Sequence, residues 1–233
     1  MTQFEYWNNK DSILEFKNKK ITNFFKSEIY FLKKIRSDLN SILDIGCASG
    51  RFIELLEEYK SDFNYLGIDI IEKQILIAKE TYKNEKHKFI LSDFKNFKIN
   101  QKFSLVNSTG VIQHTSKFKD LIYKMIELSS NYILFDIKIS EIKKDYLDIE
   151  DSYIEVNNNR LPYIIFSKQY FLQLIRSFKN LNNVYLYGYL TRPNKNVTVL
   201  NKIEKIYSVG VLIKKNDKKI NDSLEIKINE KFI

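Results

Sequence analysis

This 233-residue chain has few of the residues that interrupt or cross-link a fold. It contains one cysteine, two prolines and six glycines, and no glycine precedes Gly46. The single cysteine, Cys47, excludes an internal disulfide. The sequence contains no apolar run of about 18 residues, so no membrane span is predicted, and its first residues lack a signal-like apolar core. We therefore expect a soluble, cytoplasmic protein.

Acidic residues are outnumbered by basic ones, 29 against 38, which gives a net charge of +9. A basic balance is typical of nucleic-acid-binding proteins. Here the lysines alternate with glutamates rather than forming a block, and Lys, Asn and Ile are abundant throughout. The charge therefore carries little functional weight, and we expect a small-molecule partner rather than nucleic acid. The chain length favours a single domain over residues 1–233.

Short apolar runs alternate with segments of helical periodicity from residue 41 onward. Phe52, Leu55, Leu56 and Tyr59, for example, follow the i, i+3, i+4, i+7 spacing of a helix face. This βαβ alternation predicts a parallel sheet with right-handed crossovers. The predicted strands are 41–46, 64–70, 88–92, 103–108 and 132–137.

Three further segments complete the predicted architecture. Residues 1–40 favour a helical cap before the first strand, and residues 140–166, rich in acids and tyrosines, favour an insertion on the substrate side. Strand-like runs at 184–190 and 207–214 have no helical signal between them, which indicates antiparallel pairing.

The first predicted strand ends in Asp44 and leads into the turn Gly46-Cys47-Ala48-Ser49-Gly50. Small residues there allow a sharp turn and a close approach of backbone to a ligand. A dinucleotide-binding fingerprint would place a third glycine where Arg51 stands, so a nicotinamide cofactor is disfavoured.

Two more predicted strands also end in acids, Asp69 and Asp93. A carboxylate at such a position can accept two hydrogen bonds from a ribose diol. The alternative is that Asp69 caps the next helix and that Asp93 is an ordinary turn acid. Three acids at three successive strand ends favour a nucleoside-binding edge.

The spacing Asp44-x-Gly46-x-Ala48-x-Gly50 resembles motif I, D-x-G-x-G-x-G, of the class I S-adenosylmethionine-dependent methyltransferases, with Ala48 replacing one glycine. The resemblance implies an α/β, Rossmann-like, seven-stranded, mostly parallel sheet whose last strand is antiparallel, flanked by helices. It also implies S-adenosylmethionine as the cofactor and S-adenosylhomocysteine as the product. The implied cofactor-binding residues are Asp44, Gly46, Cys47, Ala48, Ser49, Gly50, Asp69, Ile70, Asp93, Phe94 and Asn107.

Candidate catalytic residues follow the fourth and fifth strands, where open α/β sheets bind ligands. His114 is a candidate base, and a structural role in its loop is the alternative. Asp136 is a second candidate base, with a helix-cap or salt-bridge role as its alternative. Candidate substrate-binding residues are Tyr6, Lys138, Tyr146 and Tyr163.

The absence of several motifs narrows the acceptor. No [DN]-P-P-[YF] sequence follows the fourth strand, no Pro-Cys nucleophile is present, and no metal-ligand spacing occurs. We interpret the chain as a methyltransferase acting on an O or N atom of a small polar acceptor such as a sugar, a nucleotide-linked sugar or a surface-glycan precursor. The alternatives are an RNA methyltransferase and a catalytically silent binding or scaffold subunit. The sequence specifies no oligomeric state.

Overall fold

The computed structural model describes most of the chain from residue 24 onward. The described residues are 7–8, 13–14, 24–141, 143–156, 158–178, 181, 183–191, 196–199, 203, 205–215 and 225–228.

The first half of the chain alternates strands and helices as the apolar periodicity predicts. Its elements are α1 (Lys26–Ile35), β1 (Ser41–Ile45), α2 (Phe52–Glu57), β2 (Asn64–Asp69), α3 (Glu72–Thr81), β3 (His87–Leu91), β4 (Phe103–Ser108) and α4 (Phe118–Leu128). Short 3-10 turns occupy Arg36–Asp38 and Ile112–His114.

The second half of the chain is dominated by strands. Its elements are β5 (Ser129–Ser140), β6 (Ser152–Val156), β7 (Asn159–Pro162), β8 (Phe166–Ser167), α5 (Lys168–Ser177), β9 (Asn183–Thr191), β10 (Val197–Val199), β11 (Ile206–Lys214) and β12 (Glu225–Ile228). Helix α5 begins at a side-chain cap, because the Ser167 hydroxyl accepts a hydrogen bond from the Tyr170 N–H at 3.1 Å.

One large sheet runs through the described fold in the order β12-β9-β11-β5-β4-β1-β2-β3, with β8 beside the end of β5. Strands β1 to β5 are parallel to one another, whereas β11 is antiparallel to both β5 and β9. This arrangement confirms the predicted Rossmann-like core of seven strands with an antiparallel last strand. Strands β8 and β12 extend that core beyond the prediction.

Helix α1 packs on the sheet as a core helix. Its apolar face places Phe31, Leu32 and Ile35 in one buried cluster with side chains of β1 and β11. Only its first turn lies near the carboxyl edge of the sheet, through Glu28 and the preceding Phe25. In the described part of the predicted cap, most of α1 therefore packs in the core, and its first turn borders the carboxyl edge of the sheet.

A second, three-stranded antiparallel sheet forms from β10, β6 and β7. Strands β6 and β7 lie inside the predicted insertion, and β10 comes from the connection between β9 and β11. Ile154 and Leu161 of this sheet are buried, and the partly buried Trp7 and Val197 pack against them. The insertion is thus a folded structure built from two distant parts of the chain.

Within the described part of the chain, none of the helices combines the length and the apolar character that crossing a membrane requires.

Gly210 on β11 is a close-packing position beneath α1. A Cβ added there would clash with Ser27, whose Oγ would lie 2.6 Å away. We expect Gly210→Ala to lower the free energy of unfolding by about 1–3 kcal/mol because α1 is forced off the sheet. Denaturant unfolding measures the loss. Ser27→Gly in the same chain should restore part of it, and equal losses with and without that second change would contradict the packing argument.

Candidate functional site

The turn after β1 is held in left-handed backbone conformations. Gly46, Ala48 and Gly50 have φ angles of +78°, +46° and +80°. A Cβ on Gly46 would lie 2.5 Å from Cγ2 of Val111, so no larger residue fits without displacement of the loop that follows β4. The turn therefore brings bare backbone to the carboxyl edge of the sheet, as the glycine spacing predicts.

Asp69 at the end of β2 binds this turn directly. Its Oδ2 accepts a hydrogen bond from the Ala48 N–H and its Oδ1 accepts one from the Ile71 N–H, both at 2.8 Å. Burial raises the pKa of Asp69, and the backbone N–H groups of Ile71, Ala48 and Ile70 oppose that rise. The carboxylate thus connects the glycine turn to the start of α3.

Asp44 lies at the centre of a buried polar group behind the turn. It accepts hydrogen bonds from the Tyr65 hydroxyl at 2.5 Å and from the Asn107 amide at 2.8 Å. The Asn107 Oδ1 in this group and the Ser49 Oγ in the glycine turn are buried and have no hydrogen-bond partner in the described structure. Buried polar atoms normally have partners, so these two indicate where a polar ligand would bind.

The third predicted acid occupies a more open position. The Asp93 carboxylate accepts from the Lys95 N–H at 3.0 Å, which closes a local turn, and Phe94 packs partly buried against the main core. The Ser92 N–H donates to the Asp69 carbonyl at 2.9 Å and so ties this loop to the end of β2. Ile70 is half-buried between the two loops.

Asp136 and Lys138 form a buried ion pair on β5 with an N–O distance of 3.1 Å. Asp136 also accepts from the Gly110 N–H at 2.5 Å, and Lys138 donates to the Ser208 hydroxyl at 2.8 Å. The Lys138 ammonium lies 4.9 Å from the centre of the Phe25 ring, a cation–π contact with the N-terminal segment. The Asp136 carboxylate thus connects Lys138 on the same strand to the loop that follows β4, through the Gly110 N–H.

His114 ends the 3-10 turn after β4 and is covered by other elements. Its Nδ1 lies 3.3 Å from the Pro162 carbonyl, which can only accept, so Nδ1 carries the proton and Nε2 is the acceptor nitrogen. Trp7 contacts the ring edge-on at 5.1 Å between centroids. Burial lowers the pKa of His114 to about 4, so the imidazole is neutral at pH 7.

The remaining predicted residues occupy different positions. The Tyr163 ring lies 6.0 Å from His114, so it belongs to the same region. Tyr146 is fully buried in an apolar cluster with Ile165 and Ile206, a placement that suits support of the insertion rather than contact with a ligand. Tyr6 lies outside the described residues. These substrate assignments stay predictions.

Cys47 is a packing residue of the glycine turn. Burial raises the pKa of its thiol, which keeps it protonated and weakly nucleophilic. A Cβ on Gly67 would lie 2.7 Å from its sulfur, so the two residues require each other's small size. Among the described residues, no cluster of three or more His, Cys, Asp or Glu side chains could hold a metal ion.

Glu28 is a site residue that the sequence analysis missed. It is 1% exposed, accepts from the Phe25 N–H at 2.7 Å and accepts from the Thr109 hydroxyl at 2.5 Å. The local signal was an acid three residues after the residue preceding a helix. Phe25 is not a typical capping residue, which hid that signal.

The low pKa of His114 leads to a pH prediction. Between pH 6.5 and about 4 the unfolded chain binds a proton at this residue that the folded chain does not, so stability should fall as pH falls through that window. Replacement of His114 by Gln should flatten this part of the stability profile. Ring resonances measured by NMR should show His114 unprotonated at pH 5.5, and a midpoint near 6.5 would contradict its burial.

Part of the chain is similar in sequence to known methyltransferases. Residues 36–134 match a family model described as a methyltransferase domain. A tRNA (guanine-N(7)-)-methyltransferase of Clostridium botulinum (strain 657 / Type Ba4) is 32% identical over 103 residues, which are 44% of this chain and 42% of that protein. One of the same name from Prochlorococcus marinus (strain MIT 9515) is 44% identical over 54 residues, 23% of this chain and 26% of that protein. The chain therefore matches less than half of the length of these relatives.

Solved structures match over nearly the whole chain at low identity. The N-terminal domain of EvdMO1, in the presence of S-adenosylhomocysteine (SAH) and D-fucose, has a TM-score of 0.62 at 9% identity and covers 93% of this chain and 98% of that one. The plantazolicin methyltransferase BpumL, in complex with a pentazolic desmethylPZN analog and SAH, has a TM-score of 0.58 at 17% identity and covers 91% and 94%. These likenesses establish the fold. The family match runs from the 3-10 turn before β1 into β5 and so includes the glycine turn and Asp69.

Proposed function

We propose that this protein transfers a methyl group from S-adenosylmethionine to an O or N atom of a small polar acceptor, such as a sugar, a nucleotide-linked sugar or a related glycan precursor. The observation that carries the proposal is the left-handed glycine turn after β1, held by the carboxylate at the end of β2. That pairing brings backbone without large side chains and an acid together within one short stretch of the sheet edge.

The residues around the turn suit the cofactor chemically. S-adenosylmethionine supplies an electrophilic methyl group on a sulfonium centre. Asp69 would accept the ribose hydroxyls, since each carboxylate oxygen has a second lone pair beyond the one used by a backbone N–H. The buried Asn107 Oδ1 would accept from the amino group of the methionine portion. Asp93 and Phe94 would border the adenine.

His114 is the residue that we assign to the acceptor. Its Nε2 would accept a hydrogen bond from the acceptor hydroxyl or amine and so aim the nucleophile. A pKa of about 4 makes the ring a weak proton acceptor at pH 7, so orientation is the larger part of its role. The Asp136–Lys138 pair would fix the loop that carries His114 through the Gly110 N–H.

The covered position of His114 favours a small acceptor. Trp7 contacts the ring edge-on, the carbonyl of Pro162 at the end of β7 lies 3.3 Å from Nδ1, and the Tyr163 ring lies 6.0 Å from it. A folded RNA would need this region to be open. The tyrosines and acids of the insertion suit a hydroxylated molecule.

RNA methylation is the second candidate function. The curated relatives are named for tRNA (guanine-N7) methylation, and the chain carries a net charge of +9. The match covers 44% of this chain, a share that the cofactor half of any methyltransferase could supply. Small-acceptor methylation therefore remains the first proposal.

An acceptor panel tests the proposal. We expect SAH formation with nucleotide-linked or free deoxy sugars at low and at moderate salt, and none with bulk tRNA. Turnover with tRNA alone, weakening steeply as salt rises, would instead establish the RNA reaction.

The two histidines provide matched variants for the same assay. His114→Gln should lower kcat by about 10²-fold with unchanged SAH affinity, since it removes the orienting nitrogen. His87→Gln is the control because His87 stacks on Phe63 at the opposite edge of the sheet. Equal rates for the two variants would exclude His114 from the reaction.

A further inference from the structure

A continuous series of buried and partly buried hydrogen bonds joins the N-terminal helix to Asp44, the acid that precedes the glycine turn. The Thr109 hydroxyl donates to Glu28 Oε1 at 2.5 Å, and the Asn107 Nδ2 donates to the Thr109 Oγ1 at 3.3 Å. The same Nδ2 donates to Asp44 Oδ1 at 2.8 Å. Four side chains from α1, β4, the following loop and β1 are thereby linked in series.

Glu28 determines which atoms donate and which accept along this series of hydrogen bonds. A carboxylate only accepts, so the single hydroxyl proton of Thr109 is committed to Glu28 and a Thr109 lone pair is left for Asn107. Both hydrogens of the Asn107 Nδ2 are then used, one by Thr109 and one by Asp44. The amide is locked with its Oδ1 facing away from the Asp44 carboxylate, and that Oδ1 is the buried atom with no partner among the described residues.

Helix capping explains one of the two hydrogen bonds described for Glu28. Its Oε2 accepts from the Phe25 N–H, as an acid at the third helical position commonly does. That contact leaves unexplained why the other oxygen is buried against a loop 81 residues away in sequence. A surface capping acid gains nothing from such burial, because desolvating a carboxylate is costly unless it is fully hydrogen-bonded.

We infer that Glu28 is a positioning residue for cofactor binding: acting through Thr109, it holds the Asn107 amide in the orientation that presents Oδ1 to the bound cofactor. This inference rests on the proposed function, since it concerns the same site. It adds a residue of the N-terminal helix to the binding machinery, and it makes cofactor affinity depend on how the start of α1 is seated.

Calorimetric titration with SAH tests the inference through variants of Thr109, which lies in the middle of the hydrogen-bond series. Thr109→Val keeps the shape of the side chain and removes the hydroxyl, so SAH affinity should fall about tenfold. Thr109→Ser keeps the hydroxyl and should bind SAH like the wild type. Glu28→Gln should weaken binding, and the Glu28→Gln/Thr109→Val pair should be no weaker than Thr109→Val alone, because both changes break one path.

Two control variants measure the effect of equivalent changes elsewhere. Asp38→Asn alters a carboxylate that accepts the Tyr132 hydroxyl at 2.6 Å near the amino end of β1, and Thr191→Val removes a hydroxyl bonded to the Ile206 carbonyl. Both should leave SAH affinity within twofold of the wild type. Melting temperatures without ligand report any general loss of stability separately.

The outcomes separate this inference from the proposed function. Wild-type affinity in Thr109→Val, a loss that Thr109→Ser does not restore, or additive losses in the double variant would each overturn the role of Glu28 while leaving the methyltransferase proposal intact. Absence of SAH binding by the wild type would overturn the proposed function, and this inference with it.

Discussion

The Asp69 carboxylate is the contact on which the candidate site depends. It accepts one backbone N–H from the glycine turn and one from the segment that starts α3, so a single side chain sets the separation of two crossovers. Burial opposes its ionisation and the backbone N–H groups favour it. A carboxylate in this position is costly to desolvate unless it is hydrogen-bonded, as this one is on both oxygens.

The buried ion pair of Asp136 and Lys138 is likewise costly to desolvate. Asp136 and Lys138 lie on adjacent positions of the same side of β5, covered by β11 and by Phe25. Replacing such a pair by apolar residues is often neutral or stabilising in other proteins, so stability alone is a weak reason to bury it. Its contacts to the Gly110 N–H and the Ser208 hydroxyl direct it toward the loop that carries His114. The buried charged groups Asp44, Asp69, Asp136 and Lys138 thus lie toward the carboxyl ends of β1, β2 and β5, where ligands bind in open α/β sheets.

Local sequence patterns predicted the elements whose signals lie within a few residues. The strands that carry Asp44 and Asp69 and the glycine turn are of this kind. Strand β5 is longer than predicted, because nine paired residues of β11 extend it to Ser140, and periodicity within β5 contains no information about that partner. The small sheet was missed for the same reason, since β10 comes from a connection more than thirty residues away from β7.

The residues of the candidate site also differ in whether local sequence signals or distant contacts place them. Residues next to the glycine turn were predicted because a strand end and a turn fix their neighbours. Glu28 was missed because its partner Thr109 is brought close only by the packing of α1 on the sheet. Tyr146 was proposed as a substrate contact from composition, and its burial with Ile165 and Ile206 depends on a pairing that composition does not specify.

The most direct test of the central claim is calorimetric titration of the wild type and of Asp69→Ala with SAH, with NADH as the comparison ligand. The account predicts micromolar binding of SAH by the wild type, loss of that binding in Asp69→Ala, and no binding of NADH. Binding of NADH without SAH, or undiminished SAH binding by Asp69→Ala in a protein that remains folded, would contradict it.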